Sequence, residues 1–508
     1  MKSIILNLDN TAEDSLYEQI YSQLKENIVT GRIEAGSRLP SLRRFAEENR
    51  VSVSTVGAAY NQLRLEGYVK SMPKSGYYVS NAVAIEASEN GPDTGGVTLE
   101  QLLPPEGAHI GNEIPLLYDE ESFGFSRWKK CMHRVFNEYS HLLRIAGDVQ
   151  GEPALRYEIA KYLFQSRGVK CSPDQVVIGA GSQQLTGHLC RILREMEIAN
   201  VAAESPGYGP VREIFKEHGF TVLNIPVDDN GIVLEKLPVN MRSIAYVNPN
   251  NQFPTGAVMP VARRYALLNW AKENDSYVLE DDYDSELRYF GKPIPALQGL
   301  DHEDRVIYLG SFSSTLFEAI KISYMVLPEN MMEIFHKFSG RYSQTCSKAE
   351  QICLALYMED GFYQKNIKKC RNLYAGKLET TMREFEKAGS GKVEPVNSRS
   401  GLAVLLKIHS TLSPEHICQI ARRTGLLMQP VDDLCTDEIK AVTFYFYRVS
   451  NSLLKMLVAQ FVKNIEREET RIRQAELRAE QERLREAEEK KSYGLRRDDE
   501  EIKAETEM

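Results

Sequence analysis

At 508 residues and a net charge of −9 the chain is long enough for more than one domain, and it is no polycation, so any contact with nucleic acid must come from a local patch. Hydrophobic residues make up 42%, and no apolar run approaches the roughly 20 residues that a membrane helix needs. The 8 cysteines include no CxxC pair, which argues against a zinc or disulfide framework and for the reduced thiols of a cytoplasmic protein without a metal site.

The segment Met1–Asp9 has too short an apolar core for a secretory signal. From Leu16 to Val29 apolar residues recur at helical spacing (Leu16, Ile20, Leu24, Ile28), and Gly31 to Gly36 ends that helix. A second helix opens after Leu39-Pro40-Ser41, with Ser41 in the N-cap position, and stops at Asn49. The stretch Val51–Val56 leads into a third, over Thr55–Glu66, closed by Gly67. Tyr68-Val69-Lys70 followed by Lys74–Val79 reads as a hairpin, so three short helices and a wing form a winged helix-turn-helix over 1–80. Hydroxyls and arginines around a helix N-terminus suit DNA phosphates while the helix enters the major groove.

Residues 81–104 include a small, polar, Gly-rich run (Ala84 to Gly96) that reads as a flexible linker. From about residue 150 strands and helices alternate, which predicts an α/β sheet. Each candidate strand delivers polar or aromatic residues just past its carboxyl end, where α/β folds place ligands. After Gln175–Ala180 come Gly181, Ser182 and Gln183 at a helix start. After Val201–Glu204 comes Ser205-Pro206-Gly207-Tyr208, and after Ser243–Val247 comes Asn248 to Gly256 with Asn251. After Ser276–Glu280 come Asp281 and Tyr283, and after Arg305–Leu309 comes Gly310-Ser311-Phe312-Ser313-Ser314, with Lys321 seven places beyond Ser314. A helix N-terminus and small hydroxyls suit a phosphate, an acid such as Asp281 suits a pyridine nitrogen, Tyr208 could stack on a ring, and Asn251 and Tyr283 could donate to a phenolic oxygen. That set is what a pyridoxal phosphate (PLP) site requires. Beyond Ile465 the chain is dominated by Glu and Arg, and 466–508 reads as a solvated helical or disordered tail.

Two resemblances sharpen this reading. Gly36-Ser37-Arg38-Leu39-Pro40-Ser41-Leu42-Arg43, Val51-Ser52-Val53-Ser54-Thr55-Val56-Gly57-Ala58-Ala59-Tyr60 and Glu66-Gly67 resemble the signature of the GntR family of DNA-binding regulators. By that resemblance Arg43, Ser54, Thr55 and the wing around Gly76 contact double-stranded operator DNA; Val53 stands where the family has an arginine, a loss that Arg44 or Lys74 would compensate, and Ser52 joins the expected DNA-binding set. Residues 105–465 resemble the fold-type-I aminotransferase-like domain of the MocR subgroup. The landmarks are Gly181–Gln184, Ser205–Tyr208, Asn251–Gly256, Glu280–Glu286 and Pro295–Asp301. The resemblance implies a large α/β domain at about 150–335, a small α+β domain from its flanks, a homodimer, and an effector such as PLP or an amino compound.

The chain departs from its relatives at the turn after Leu309. The family's FSKTLFPALR appears as Phe312-Ser313-Ser314-Thr315-Leu316-Phe317-Glu318-Ala319-Ile320-Lys321. The Schiff-base lysine position is Ser314, whose hydroxyl forms no imine. The phosphate-gripping arginine is Lys321, which keeps the charge and loses the fork. A tyrosine expected to reach the phosphate across a dimer is Ala146. The expected cofactor contacts are therefore Ser182, Gln183, Tyr208, Asn251, Asp281, Tyr283, Ser311, Ser313 and Lys321, holding PLP noncovalently at best, with Arg448 placed either to meet an effector carboxylate or to form a structural salt bridge. The resulting expectation is a DNA-binding regulator with a degenerate cofactor pocket and no catalytic residue. An aminotransferase with an appended DNA-binding domain and an effector-independent DNA-binding dimer stay open beside it.

Overall fold

A computed structural model describes residues 4–9, 12, 14–73, 75–80, 121–289, 294–389, 391–396 and 400–506, with side chains to residue 485 in the last helix. The expected linker and Lys74 lie outside these residues. The chain divides into two compact units, Met1–Pro104 and Pro105–Met508.

In the first unit α1 (Leu16–Val29) buries Ile20, Leu24 and Ile28 on one face, as the spacing predicts. Ser41 caps α2 (Leu42–Asn49) by accepting from Arg44 N, and Arg50 in a left-handed conformation ends it. The third helix, α3, spans Val53–Leu65 and starts two residues before the predicted Thr55, because Ser52 Oγ accepts from Thr55 N at 3.0 Å and makes Ser52 the cap. The wing is an antiparallel pair, β1 (Val69–Met72) and β2 (Gly76–Val79). Tyr60 locks the parts together. It is fully buried, its hydroxyl donates to Pro40 O at 3.2 Å, and its ring meets Phe45 and Tyr77 edge-on at 5.7 and 5.2 Å.

The second unit is built on an eight-stranded sheet. Its strands are β3 (Val176–Gly179), β4 (Asn200–Ser205), β5 (Thr221–Asp228), β6 (Gly231–Ile232), β7 (Ser243–Val247), β8 (Tyr277–Asp281), β9 (Val306–Ser311) and β10 (Ser323–Val326). They lie in the order β3-β10-β9-β8-β7-β4-β5-β6, with β4, β5, β7, β8 and β9 mutually parallel and β10 antiparallel to both neighbours. All of β7 and β8 is buried because helices cover both faces. Alternate residues serve the two sides: Ile244, Tyr246, Tyr277 and Leu279 pack in one core cluster, while Ala245, Val247 and Val278 pack in another. Since the parallel strands run the same way, their carboxyl ends meet along one edge of the sheet, and the residues singled out above gather there.

A four-stranded antiparallel sheet follows, from β11 (Val393–Pro395), β12 (Val404–His409), β13 (Met428–Pro430) and β14 (Ile439–Phe444) in the order β11-β12-β14-β13. The helices Phe362–Gly389 and Pro414–Thr424 pack against it. The charged segment beyond 465 extends the last helix of the small domain, as its Glu–Arg spacing suggests: one helix runs through Asn451–Thr506. Its anchoring extends past 465, since Glu469 accepts from Ser410 Oγ at 2.5 Å and pairs with Lys392, and Ile472 packs on the small-sheet core. Arg473 to Arg485 is exposed, as a chain segment with few apolar residues requires.

Candidate functional site

The edge of the large sheet and the four-stranded unit enclose a cavity of about 920 Å³. Of the expected ligand contacts, Ser182, Tyr208, Asn251, Asp281, Tyr283, Ser311, Ser313 and Lys321 line it, as do Ser314 and Arg448. Gln183 does not. At the second position of the helix Ser182–Glu195 its side chain points to solvent, while Gln184 turns inward and accepts from Ala180 N at 2.7 Å.

Each wall has a local cause. Gly181 takes φ +94 just before the helix Ser182–Glu195, so its first backbone N–H groups and their positive dipole end stand at the cavity. The loop after β7 is fixed from below by buried Arg264. Its guanidinium donates to Met259 O, Pro249 O, Asn250 Oδ1 and Pro295 O at 2.9–3.0 Å. Gly310 is required because any Cβ there would collide with the Tyr324 ring. Beyond it Ser311 Oγ lies 2.8 Å from Ser313 Oγ and accepts from Ser323 Oγ at 3.0 Å. Lys321 is exposed, and its ammonium makes no hydrogen bond or ion pair among the described residues.

At the end of β8, Asp281 receives the Tyr246 hydroxyl at 2.6 Å, and burial pushes its carboxyl up to about 6 against that hydrogen bond. Nearby Glu204 is driven up to about 8 by burial. One of its oxygens accepts from Asn248 N and Gln252 Nε2, and the other has no partner among the described residues. Asn251 departs from its expected role, because its amide donates to Asp284 at 2.7 Å and toward the Tyr283 hydroxyl at 3.3 Å. Burial raises the Asp284 carboxyl well above the ordinary range.

At the turn after β9 the Ser314 hydroxyl donates to Tyr283 O at 2.6 Å. Of the two readings of Arg448, the structure shows the salt bridge. Arg448 Nη2 donates to both carboxylate oxygens of Glu318 at 2.7 Å, and the Tyr447 hydroxyl donates to the same carboxylate. Sequence reading missed Glu318, Tyr445, Tyr447, Phe317, Gln252 and Thr255, all of which line the cavity. For Glu318 a signal existed: an acid stands where the quoted family turn has proline.

In the winged unit Arg43, Ser52 and Ser54 are exposed and Thr55 is partly so, all around the start of α2 or α3. Ser52 Oγ lies 2.7 Å from both Ser54 Oγ and Thr55 Oγ1. Arg44 is paired with Glu48 at 2.8 Å, which reduces its value to a phosphate relative to the expectation. Val53 is 45% exposed on the same face, an apolar side chain in the family's arginine position. Gly76, at φ +112, opens β2 with the Arg38 guanidinium beside it. All eight cysteines are unpaired. Among the described residues no acidic, His or Cys cluster is arranged to hold a metal ion, and no helix is long and apolar enough to cross a membrane.

Fold and pocket together define a winged helix-turn-helix unit fused to an aminotransferase-like unit of fold type I. Comparison with known proteins agrees. Residues 16–79 match the model of bacterial regulatory proteins of the gntR family, and residues 116–439 match aminotransferase class I and II. The chain is 38% identical over 426 residues to the HTH-type transcriptional regulator YdeL of Bacillus subtilis, across 84% of this chain and 90% of that one. It is 30% identical to the probable rhizopine catabolism regulatory protein MocR of Rhizobium meliloti (84% and 88% covered) and 30% identical to the pyridoxine biosynthesis regulator PdxR of Corynebacterium glutamicum (77% and 83%). Among solved structures, kynurenine aminotransferase of Pyrococcus horikoshii superposes with a TM-score of 0.62 at 22% identity, covering 70% of this chain and 92% of that one, which bears on the fold alone. The chain belongs to the MocR-like GntR regulators: it is a DNA-binding transcriptional regulator with an aminotransferase-like domain.

Proposed function

We propose that the aminotransferase-like unit is a noncovalent sensor of PLP or a related phosphate-bearing anion, that it joins two chains into a homodimer, and that it does not transaminate. The observation that carries this reading is Ser314. It lies on the cavity wall with its hydroxyl spent on Tyr283 O at 2.6 Å, among residues otherwise suited to the cofactor.

The donor set supports binding of the ring and the phosphate, and does not support covalent attachment. Asp281, ionised above about pH 6, would hold a proton on a ring nitrogen, and Tyr246 orients it for that contact. Lys321, the Ser311 and Ser313 hydroxyls and the N–H groups at Ser182 would take the phosphate. Tyr208 offers a ring face. Bound PLP would supply an electron-withdrawing ring to an attached amine. Ser314, at the position read as the family's proton-moving lysine, is not a base near neutral pH, which supports the reading without transamination.

The test is a calorimetric titration of the full chain with PLP, followed by borohydride reduction and peptide mapping, with operator DNA binding measured with and without ligand. Saturable binding, no reduced adduct at Ser314 and altered DNA affinity are expected. Absence of binding would leave a DNA-binding scaffold, and transamination of any amino acid would reinstate the enzyme.

A further inference from the structure

The cavity holds two cationic side chains in opposite states. Lys321 is unpaired among the described residues, while Arg448 is already filled. Glu318 and Arg448 lie 130 residues apart, one in the turn after β9 and the other in the turn after β14. Arg448 Nη2 reaches both Glu318 oxygens at 2.7 Å, and Arg448 Nε reaches the Tyr447 hydroxyl at 3.1 Å. The Arg448 turn is itself fixed from behind: buried Lys377 donates to Tyr447 O at 3.0 Å and to Val449 O at 2.8 Å. The arrangement is an arginine on a rigid support gripping both oxygens of a carboxylate inside a ligand-sized cavity, and that carboxylate belongs to the chain.

We infer that Glu318 is a built-in substitute for a ligand carboxylate, which makes this cavity selective for phosphate-bearing ligands that carry no carboxylate. This deepens the sensor reading and rests on it. A carboxylate held by the fold competes at an effective concentration on the order of millimolar, so an incoming carboxylate must displace it and then tolerate its negative charge nearby. A phosphate meets no such competitor at Lys321, which gives the two ends of the cavity different selectivity.

The experiment compares the full chain with E318Q and with the E318Q/R448Q double variant by calorimetry. The two probes are N-(5′-phosphopyridoxyl)methylamine and N-(5′-phosphopyridoxyl)glycine, which share ring, phosphate and amine and differ in the carboxylate. Wild type should prefer the methylamine adduct by about tenfold or more. E318Q should gain about tenfold for the glycine adduct with affinity for the methylamine adduct unchanged, and the double variant should lose that gain. Equal affinity of wild type for both probes, or an E318Q variant that keeps the wild-type ratio, overturns the inference and leaves the sensor reading standing. Failure of all forms to bind either probe overturns both. Glu318 is 54% exposed in its side chain, so E318Q should fold. Should it not, E318D, whose shorter side chain draws the carboxylate back, must shift the ratio in the same direction.

Discussion

The hydroxyl of Ser314 donates to the main-chain carbonyl of Tyr283 at 2.6 Å, tying the turn after β9 to the turn after β8 at the floor of the cavity. The side chain thus serves the protein's own backbone at the position that the resemblance reads as the family's Schiff-base lysine. A lysine there would carry its amine past that carbonyl into open space. Ser314→Lys should therefore gain a borohydride-reducible adduct with PLP, read by mass spectrometry of the peptide containing position 314, and tighten PLP binding by about tenfold or more. An unreactive variant that still folds would show that more than the missing amine has been lost.

Among the described residues Lys321 is the cation of the pocket without a hydrogen bond or ion pair. Lys321→Ala should weaken PLP about 10–100-fold, the ordinary worth of a hydrogen bond to a charged group, while leaving pyridoxal without its phosphate unaffected. Lys321→Arg should retain or improve phosphate binding, because a guanidinium adds a bidentate fork.

DNA affinity should depend on Arg43, which is exposed at the start of α2. Arg43→Ala should weaken operator binding and reduce the slope of log affinity against log salt by about 0.9, one phosphate contact. Arg44→Ala should have the smaller effect, since its guanidinium is shared with Glu48 at 2.8 Å. A salt titration by fluorescence anisotropy separates the two.

The cap at Ser52 sets where α3 begins and, with Ser54 and Thr55, forms a cluster of hydroxyls at 2.7 Å. Ser52→Ala should cost about 1 kcal/mol in the stability of the winged unit, measured by denaturant unfolding of the full chain with a reporter in that unit. Loss of DNA binding at a temperature where the unit is still folded would add a direct contact to that structural role.

The stability of the large unit should fall as pH rises. Glu204 has a folded value of about 8 against an ordinary 4.5, so the folded state keeps a proton that the unfolded chain has released. Its contribution is complete below about pH 4.5 and is lost progressively up to about pH 8. Glu204→Gln keeps a neutral, hydrogen-bonding group there and should flatten the dependence of melting temperature on pH between about 5 and 8. Asp281, raised to about 6 by burial, adds a distinct signature: PLP binding should weaken below about pH 6.

Much of this was legible in the sequence for definite reasons. Ile20, Leu24 and Ile28 fall on one helical face, so α1 could be read from spacing alone. Ser41 stands one residue before an apolar-periodic run and is the cap that pattern predicts. Ser182, Tyr208, Asp281 and Ser311 sit at successive strand ends, and parallel strands bring such ends to one edge whatever fills the loops. Ser314 could be recognised by its place in the turn. The start of α3 is not fixed by the sequence, because Ser52, Ser54 and Thr55 are all competent caps and only backbone geometry chooses Ser52 among them. Gln183 looks equivalent to Ser182 in a string, but successive helix positions are turned about 100° from each other, and only Ser182 faces the pocket.

By itself, then, the sequence determined the two units, their order, the strand-end residues of the pocket and the absence of an amine at position 314, because periodicity, capping and turn chemistry act over a few residues. Tertiary structure alone decided what those residues are free to do. Asn251 is turned to Asp284, Glu204 and Asp281 are pressed into a buried acidic edge, and Arg448 is handed the carboxylate of Glu318 from 130 residues away. A carboxylate and a guanidinium so distant in sequence interact only when the fold brings them within hydrogen-bond reach, and that contact turns an expected ligand grip into an occupied one.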